Sequence, residues 1–324
     1  MADFNISNFS NDLSSTGPRV GLALAQCGPF ADPAATIDMA AKAERSGFAS
    51  LWVMDRVLAP LEPRTPYPAS MDGELPAEQY SVLDPFVALT LAATATERIR
   101  LGTSVIVAPW YSPLLLARTL TAIDLASNGR LSVGLGLGWS VDEYEAVCVA
   151  LDHRGGRLDE IIDVLEAIWA DGVTHVDGER YEIVPSEILP KPAQRPRPPL
   201  LLAAYTPSAL DRVARRADAW IPAGLPIEAI GPMFGAVRDM AAGHGRDPDA
   251  IELVVRANAS ITTRSLDGDR PAYHGSIEQV ADDLEATRRV GAHEIVVDLQ
   301  GSAGTVDELL GLATAVTSPL LAAV

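Results

Sequence analysis

The sequence predicts an α/β barrel of eight parallel strands, the TIM-barrel fold. Short apolar runs alternate with segments of helical spacing from Arg19 onward, and several runs are apolar throughout, as strands covered on both faces are. Eight such units fit in the 324 residues. A doubly wound sheet usually has fewer strands and a Gly-x-Gly-x-x-Gly turn after the first, where this chain reads CGPF from Cys27 to Phe30.

The predicted strands are joined by helices with typical terminal residues. Asp32 and Pro33 begin the helix after the first strand, Asp84 and Pro85 begin a later one, and the Asn-Gly pair at 128–129 ends a third. In chain order the predicted strands are 19–26, 50–55, 101–109, 131–139, 199–205, 219–224, 252–260 and 294–299.

Residues 1–18 are predicted to form a flexible N-terminal arm without a secretory signal, and 19–324 a single barrel domain. Two connections are unusually long. The segment 56–82 leaves the second strand, so we expect it as an insertion loop over the C-terminal mouth, where TIM barrels build active sites. The alternative is that this segment is a surface loop away from the active site. The segment 179–199 is interpreted as a structural insertion.

Composition excludes several classes of partner. The net charge of −18 would repel nucleic acid and anionic membranes, because binding to either requires a basic protein surface. No apolar run approaches the ~18 residues of a membrane span. The two cysteines, Cys27 and Cys148, are too few for a disulfide framework and are expected to be packed thiols in a cytoplasmic protein.

Two predicted strand ends could hold a phosphate, because each is followed by a helix whose first N–H groups are free. Glycine lets the backbone approach a ligand closely, although it also serves tight barrel packing. The first place, after the fourth strand, comprises Gly136, Gly138, Trp139 and Ser140. The second, after the fifth strand, comprises Ala204, Tyr205 and Thr206, with a helix beginning near Pro207 and Ser208.

Several motifs resemble those of the luciferase-like monooxygenase superfamily, in order and with similar spacing over about residues 19–300. They read SLWVMDR, LDPFVALTLAATATERIRLGTSVIVAP, SPLLLARTLTAIDLASNGRLSVGLGLGWSVDEYEA, RGGRLDEIIDVLEAIW and ILPKPAQ. Within that superfamily the chain looks most like the branch that uses the deazaflavin coenzyme F420 rather than FMN. The resemblance implies a TIM barrel and a homodimer.

The resemblance also implies a coenzyme site at the third strand. In such enzymes this strand ends in a bulge with a non-prolyl cis peptide that supports the central ring of the coenzyme. The motif match puts it within Thr103, Ser104 and Val105, at the Ser104–Val105 bond. Without the resemblance these would be simple strand residues. The loop from Ala204 to Thr206 corresponds to a small-residue phosphate loop of the deazaflavin enzymes.

Three residues are candidate catalytic residues: Asp55, Arg56 and Trp139. Asp55 ends the second strand, where it could contact coenzyme or substrate, cap the strand, or pair with Arg56. Sugar-phosphate dehydrogenases of this group have histidine at the position of Arg56 and a proton-transferring glutamate at that of Trp139. Their reaction is therefore not expected here, while oxidoreduction of another substrate is.

Other chemistry is poorly supported by the sequence. The five histidines are not at ends of predicted barrel strands, and no His, Cys or carboxylate cluster has the spacing of metal ligands. GLGWS lacks the Gly-x-Ser-x-Gly turn of a hydrolase nucleophile. The aromatic residues Tyr67, Trp110, Tyr111 and Trp139 could line an apolar pocket or pack against helices.

The leading hypothesis is hydride transfer between C5 of F420 and a small organic substrate, with the mouth loop excluding water. F420 is strongly anionic, so local cations are expected, with Arg56 and Arg64 as candidates. The first alternative is an FMN-dependent monooxygenase that uses O2 and reduced flavin from a partner reductase. The second is a flavin-binding paralogue that does not turn its ligand over.

Overall fold

Eight parallel strands close into a barrel in the computed structural model, which describes residues 17–68, 70 and 72–321. The barrel strands are β1 Arg19–Ala23, β2 Ser50–Val53, β3 Arg100–Thr103, β4 Leu131–Gly136, β5 Leu200–Leu202, β6 Ala219–Trp220, β7 Glu252–Asn258 and β8 Glu294–Asp298. Strand β1 pairs with β2 and β8, and β3 pairs with β4, so no edge remains in the ring. The TIM-barrel prediction is confirmed, and β3 alone begins before its predicted range.

Helices cover the outside of the barrel. They are α1 Pro33–Arg45, α2 Pro85–Ala95, α3 Pro113–Ala126, α4 Val141–Ala146, α5 Arg154–Trp169, α6 Pro207–Arg216, α7 Ile227–Gly243, α8 Ile277–Arg289 and α9 Val306–Leu321. The predicted caps are confirmed, because Asp32 accepts a hydrogen bond from the Ala35 N–H and Asp84 accepts two in the first turn of α2. Within the described residues, no helix combines the length and apolar character of a membrane span.

Short strands outside the ring shape the connections. Ile106–Val107 follows β3, Thr174–Asp177 and Glu182–Ser186 form an antiparallel hairpin after α5, and Ser260–Ile261 pairs with His274–Gly275 after β7. The predicted insertion at 179–199 therefore contains the second strand of the hairpin. Of the predicted arm, residues 1–16 lie outside the described residues.

The N-terminal end of the barrel interior is filled by Trp52 and a buried polar cluster. Trp52 Nε1 donates to the Ser50 hydroxyl at 2.6 Å and to Glu294 Oε1 at 3.1 Å. Gly21 and Gly102 make room, since a Cβ on Gly102 would lie 2.3 Å from the Trp52 ring. Side chains thus fill this end of the barrel. The opposite end, where the strands finish, is therefore the expected location of a site.

The two cysteines differ in environment. Cys27 is buried in the connection after β1, and burial raises the pKa of its thiol to about 12. Cys148 is exposed, so the prediction of a packed thiol is wrong there. The reason is local: Val147 and Val149 on either side pack inward beside Tyr144, which turns the residue between them outward.

Candidate active site

A bulge follows β3 at the mouth of the barrel. The Ser104–Val105 peptide bond is cis, at the bond that the family resemblance indicated. Regular pairing with β4 stops at Gly102 and resumes at Ile106. Between them the Thr103 hydroxyl bridges the gap, accepting from the Gly134 N–H and donating to the Gly134 carbonyl, both at 2.7 Å. The strand thus detaches from its neighbour for a few residues and presents backbone to the mouth.

Residues from β7, across the barrel, and from the end of the neighbouring strand β2 hold the bulge. Just after β2, Asp55 accepts a hydrogen bond from the Val107 N–H at 3.0 Å and from the Tyr111 hydroxyl at 3.0 Å. From β7, Arg256 donates to the Ser104 carbonyl oxygen at 3.2 Å and to the Ser104 hydroxyl. We call this pair of contacts, Asp55 to Val107 and Arg256 to Ser104, the bulge clamp.

Arg256 belongs to a buried network that sequence reasoning missed. Its guanidinium pairs with Asp298 at the end of β8 and donates to Asn258 Oδ1 at 2.9 Å. Asp298 in turn accepts from the Gln300 N–H at 3.1 Å, and Gln300 Oε1 accepts from the N–H groups of residues 26 and 27. The clamp is therefore tied to β1 and β8 as well as β7.

Asp55 has an unusual protonation equilibrium. Burial raises the pKa of this carboxyl to about 7, outweighing the hydrogen bonds from Val107 and Tyr111 that favour the carboxylate. Residue 55 is only 8% exposed. Arg56 does not neutralise it, because that guanidinium pairs with Glu143 instead. The geometry thus gives Asp55 a structural task at the bulge.

This equilibrium predicts a pH-dependent stability. A folded-state pKa above the ordinary carboxyl value of about 4 gives stability that is complete below that value and is lost as the pH rises through about 7. The loss should be about 4 kcal/mol at most, at ~1.4 kcal/mol per pKa unit. Asp55→Asn retains an acceptor for the Val107 N–H and should flatten this part of the profile. Urea unfolding at about pH 5 and about pH 8 measures it.

Asp55→Ala serves as the control, since it leaves the Val107 N–H and the Tyr111 hydroxyl without their acceptor. We expect it to be less stable than the asparagine variant at both pH values. Parallel profiles for the parent chain and Asp55→Asn would contradict the prediction.

Two glycines at and just after the end of β4, Gly136 and Gly138, face the bulge. A Cβ on Gly136 would lie 2.4 Å from Val105 Cγ2, and one on Gly138 would lie 2.7 Å from Val107 Cγ1. Gly138 also has a positive φ of 63°, which side chains rarely adopt. Their small size is thus required by packing against the bulge.

The other two catalytic candidates contact each other. The Arg56 guanidinium carbon lies 5.6 Å from the centroid of the Trp139 ring, and its nitrogens donate to Gln79 Oε1 at 3.2 Å and Glu143 Oε2 at 3.4 Å. Trp139 meets Tyr67 of the mouth loop edge-on at 5.5 Å. Arg56 and Trp139 therefore fasten the mouth loop to the start of α4.

The expected role of Arg56 and Arg64 as cations for the coenzyme needs correction. Arg56 is buried and paired with Glu143. Arg64 is exposed, but it pairs with Asp142 and Glu145 of α4. Carboxylates of the chain thus neutralise both side chains.

The two predicted phosphate places differ in charge. At α4, Ser140 accepts from the Glu143 N–H at 3.3 Å, and the first turn carries two carboxylates that hold the mouth loop. At α6, Thr206 accepts from the Ala209 N–H at 3.4 Å and the first turn carries no acidic residue. The α6 start is therefore the better site for an anion.

The α6 loop combines fixed backbone with exposed side chains. Ala204 is buried, and its carbonyl accepts from Trp220 Nε1 at 3.0 Å. Tyr205, Thr206, Pro207 and Ser208 are exposed. Tyr205 bends back over β6, where its hydroxyl accepts from the Ala223 N–H at 3.2 Å.

The start of α5 lies beside α6. Arg212 of α6 donates to the Gly155 carbonyl at 3.2 Å and pairs with Asp159. The first turn of α5 has no acidic residue, and Arg154 and Arg157 each have a buried Nε without a hydrogen-bond partner. Among the described residues, neither arginine forms an ion pair. Arg154 donates to the Leu151 carbonyl at 3.4 Å. Guanidinium groups without a carboxylate partner fit an anionic ligand, and the sequence predictions omitted both.

A cavity of about 460 Å³ opens at the ends of β7 and β8, under the mouth loop. Its lining includes Tyr67, Glu78, Asn258, His274 and Asp298. His274 lies in the connection after β7 rather than on a barrel strand, as expected, yet it reaches the mouth. Of the other predicted aromatic residues, Trp110 packs edge-on against Tyr144 and Tyr111 binds Asp55. The described residues contain no group of three or more potential metal ligands.

Comparisons with known proteins agree with this architecture. Residues 13–267 match the family model described as luciferase-like monooxygenase. An uncharacterized protein of Mycobacterium tuberculosis is 33% identical over 248 residues, which cover 75% of this chain and 88% of that protein. The oxygenase component of the flavin-dependent trigonelline monooxygenase of Acinetobacter baylyi is 34% identical over 139 residues, which cover 42% of this chain and 38% of that protein.

Among solved structures, the fold is similar to an F420-dependent secondary alcohol dehydrogenase in complex with an F420-acetone adduct. The TM-score is 0.75 with 15% identity, and the match covers 95% of this chain and 98% of that one. At this identity the likeness concerns the fold alone.

Proposed function

Because this chain belongs to the luciferase-like monooxygenase family, we propose that it is an oxidoreductase that transfers a hydride between coenzyme F420 and a small organic substrate at the barrel mouth. The observation that carries the proposal is the clamped bulge after β3, which presents rigid backbone to the mouth. When bound, the coenzyme supplies the hydride chemistry at its C5 carbon. The chain's own task is to position and shield it.

The charges around the mouth support an anionic coenzyme with its tail toward α5 and α6. The first turns of both helices lack acidic residues, and Arg154 and Arg157 are without ion pairs among the described residues. Burial raises the pKa of Tyr144, whose hydroxyl donates to the Leu137 carbonyl just after β4, and both guanidiniums lie close enough to offset part of that rise. We assign the phosphate to the loop from Ala204 to Ser208 and this neighbouring start of α5.

The mouth loop supports exclusion of water from the reacting atoms. Arg56, Trp139 and Tyr67 hold it over the end of β4, and the Val57 N–H donates to Glu143 at 3.1 Å. The side chains of Arg56 and Glu143 are 5% and 2% exposed. In this proposal Asp55, Arg56 and Trp139 position the coenzyme and the loop, and none of them exchanges a proton with the substrate.

The coenzyme is tested by titrating the purified chain with F420 and with FMN in a thermal-shift experiment. We expect F420 to stabilise the chain, by about 2.7 kcal/mol at a hundred times its Kd. Stabilisation by FMN alone would overturn the choice of coenzyme. Anaerobic turnover then distinguishes the reactions, since hydride transfer continues without oxygen and monooxygenation stops.

FMN-dependent monooxygenation is the second candidate, favoured by the similarity to the flavin-dependent trigonelline monooxygenase component. It would require reduced flavin, from a reductase partner. A chain that binds either coenzyme but never oxidises or reduces it with any substrate would be a non-catalytic paralogue.

The phosphate site gives a matched pair of variants. Ser208 and Ala34 are both exposed and both follow a proline at the first position of their helix, α6 and α1. We expect Ser208→Glu to raise the Kd for F420 about tenfold, because its carboxylate would repel the phosphate. Ala34→Glu should change the Kd by less than about twofold. Fluorescence titration of F420 measures both, and equal effects would contradict the assignment.

A further inference from the structure

The cavity under the mouth loop is acidic. Three carboxylates line it, those of Asp72, Glu78 and Asp298, and the described lining residues include no lysine or arginine. His274 does not balance them, because burial is the largest cause lowering its pKa. This side of the mouth, formed by β7, β8 and the loop after β2, thus differs in charge from the α5–α6 side.

Of these carboxylates, Glu78 is the one that is enclosed yet uncompensated. Asp298 is paired with Arg256, and Asp72 is exposed. Glu78 is half-buried, and among the described residues its carboxylate has neither an ion pair nor a hydrogen-bond donor from another residue. Burial, together with the nearby Asp298, raises its pKa, as expected for a carboxyl without a cation.

The Glu78 carboxylate reaches the opposite wall of the cavity, formed by the chain just after β8. It lies over the backbone at the end of β8, where a Cβ on Gly301 would be 2.8 Å from Glu78 Oε1. Both residues line the cavity. Tyr67 also lines the cavity and contributes an aromatic ring that contacts Trp139 edge-on. A cavity lined by both an unpaired carboxylate and an aromatic ring is a suitable environment for an organic cation.

We propose that this cavity binds the organic substrate and selects a cationic one, an amine or quaternary ammonium compound, with Glu78 as its counter-ion. The assignment rests on the proposed function, because it takes this cavity as the substrate half of the same mouth. An anionic substrate would meet uncompensated negative charge here, whereas the anionic coenzyme lies on the opposite side.

The test uses three probes of similar shape and different charge: benzylamine, benzyl alcohol and benzoate. Their binding to the full chain is measured by calorimetry near neutral pH, without coenzyme and with saturating F420. We expect benzylamine to bind at least about tenfold more tightly than benzoate, with benzyl alcohol between them. Glu78→Gln should reduce that ratio at least about fivefold, since it removes the charge and keeps the shape.

Glu74→Gln is the matched control, because Glu74 lies on the same loop, is exposed and does not line the cavity. The ratio of its affinities for benzylamine and benzoate should stay within about twofold of that of the parent chain. Equal affinity for benzylamine and benzoate, an unchanged ratio in Glu78→Gln, or no binding of benzylamine would each overturn the proposal. The F420 titration is scored separately, so loss of coenzyme binding with charge selection retained would count against the proposed function alone.

Discussion

Gly134→Ala is expected to destabilise the barrel by about 3 kcal/mol or more and to abolish coenzyme binding. A Cβ at this position would lie 1.9 Å from the Thr103 carbonyl oxygen and 3.3 Å from Val105 Cγ1. The first contact is with backbone, so relief requires β3 and β4 to separate where their pairing closes the ring. Thermal unfolding should show a decrease in Tm of roughly 5 °C or more.

Gly156→Ala is the control for Gly134→Ala. Apart from its chain neighbours and the backbone of its own helix, no atom lies within 4 Å of a Cβ built on Gly156, which is in the first turn of α5. Alanine there should leave the Tm unchanged or raise it slightly, because it restricts the unfolded chain. A Gly134→Ala protein as stable as Gly156→Ala would show that the closing strands tolerate separation.

Arg256→Met is expected to have the second largest effect, a destabilisation of about 3–5 kcal/mol with a Kd for the coenzyme at least about tenfold higher. Methionine fills similar space, but it leaves Asp298 without its cation and the Ser104 carbonyl without its donor. Urea unfolding measures the stability, and fluorescence titration with F420 measures the affinity.

A double variant separates the two consequences. Arg256→Met with Asp298→Asn removes the unpaired charge, so much of the stability should return. Coenzyme affinity should stay low, because the bulge still lacks its donor. Recovery of both properties together would mean that Arg256 acts only as the partner of Asp298, and that the bulge keeps its shape without it.

The barrel could be predicted because its signals are local. Each strand is a short apolar run, and the caps at Asp32 and Asp84 act within three residues of themselves. The bulge at Ser104 could be predicted only from the resemblance to a known family, since nothing in Thr-Ser-Val alone distinguishes it from a regular strand. Local sequence patterns thus predicted the barrel, and motif similarity predicted the location of the site.

The contacts that hold the bulge and the mouth loop could not be predicted, because each joins two residues that are far apart in sequence. Arg256 sits among apolar strand residues, and the residue that it holds, Ser104, is 152 positions earlier. The sequence makes Arg56 a candidate cation for the coenzyme, whereas in the fold its guanidinium pairs with Glu143, 87 positions later. The sequence predicts that Gly136 and Gly138 contact a phosphate, whereas the fold shows that their lack of a side chain also makes room for Val105 and Val107.

The bulge clamp draws on both halves of the barrel. A fragment ending after α4 would contain the bulge, its glycines and Asp55, and would still lack Arg256 and the Asp298 that orients it. Such an amino-terminal half-barrel would contain the most recognisable motifs of the family, but it would lack the residues that hold the bulge in its shape. The surface offered to the coenzyme is therefore a product of ring closure, and reconstitution from two separately expressed halves should restore it only when they join.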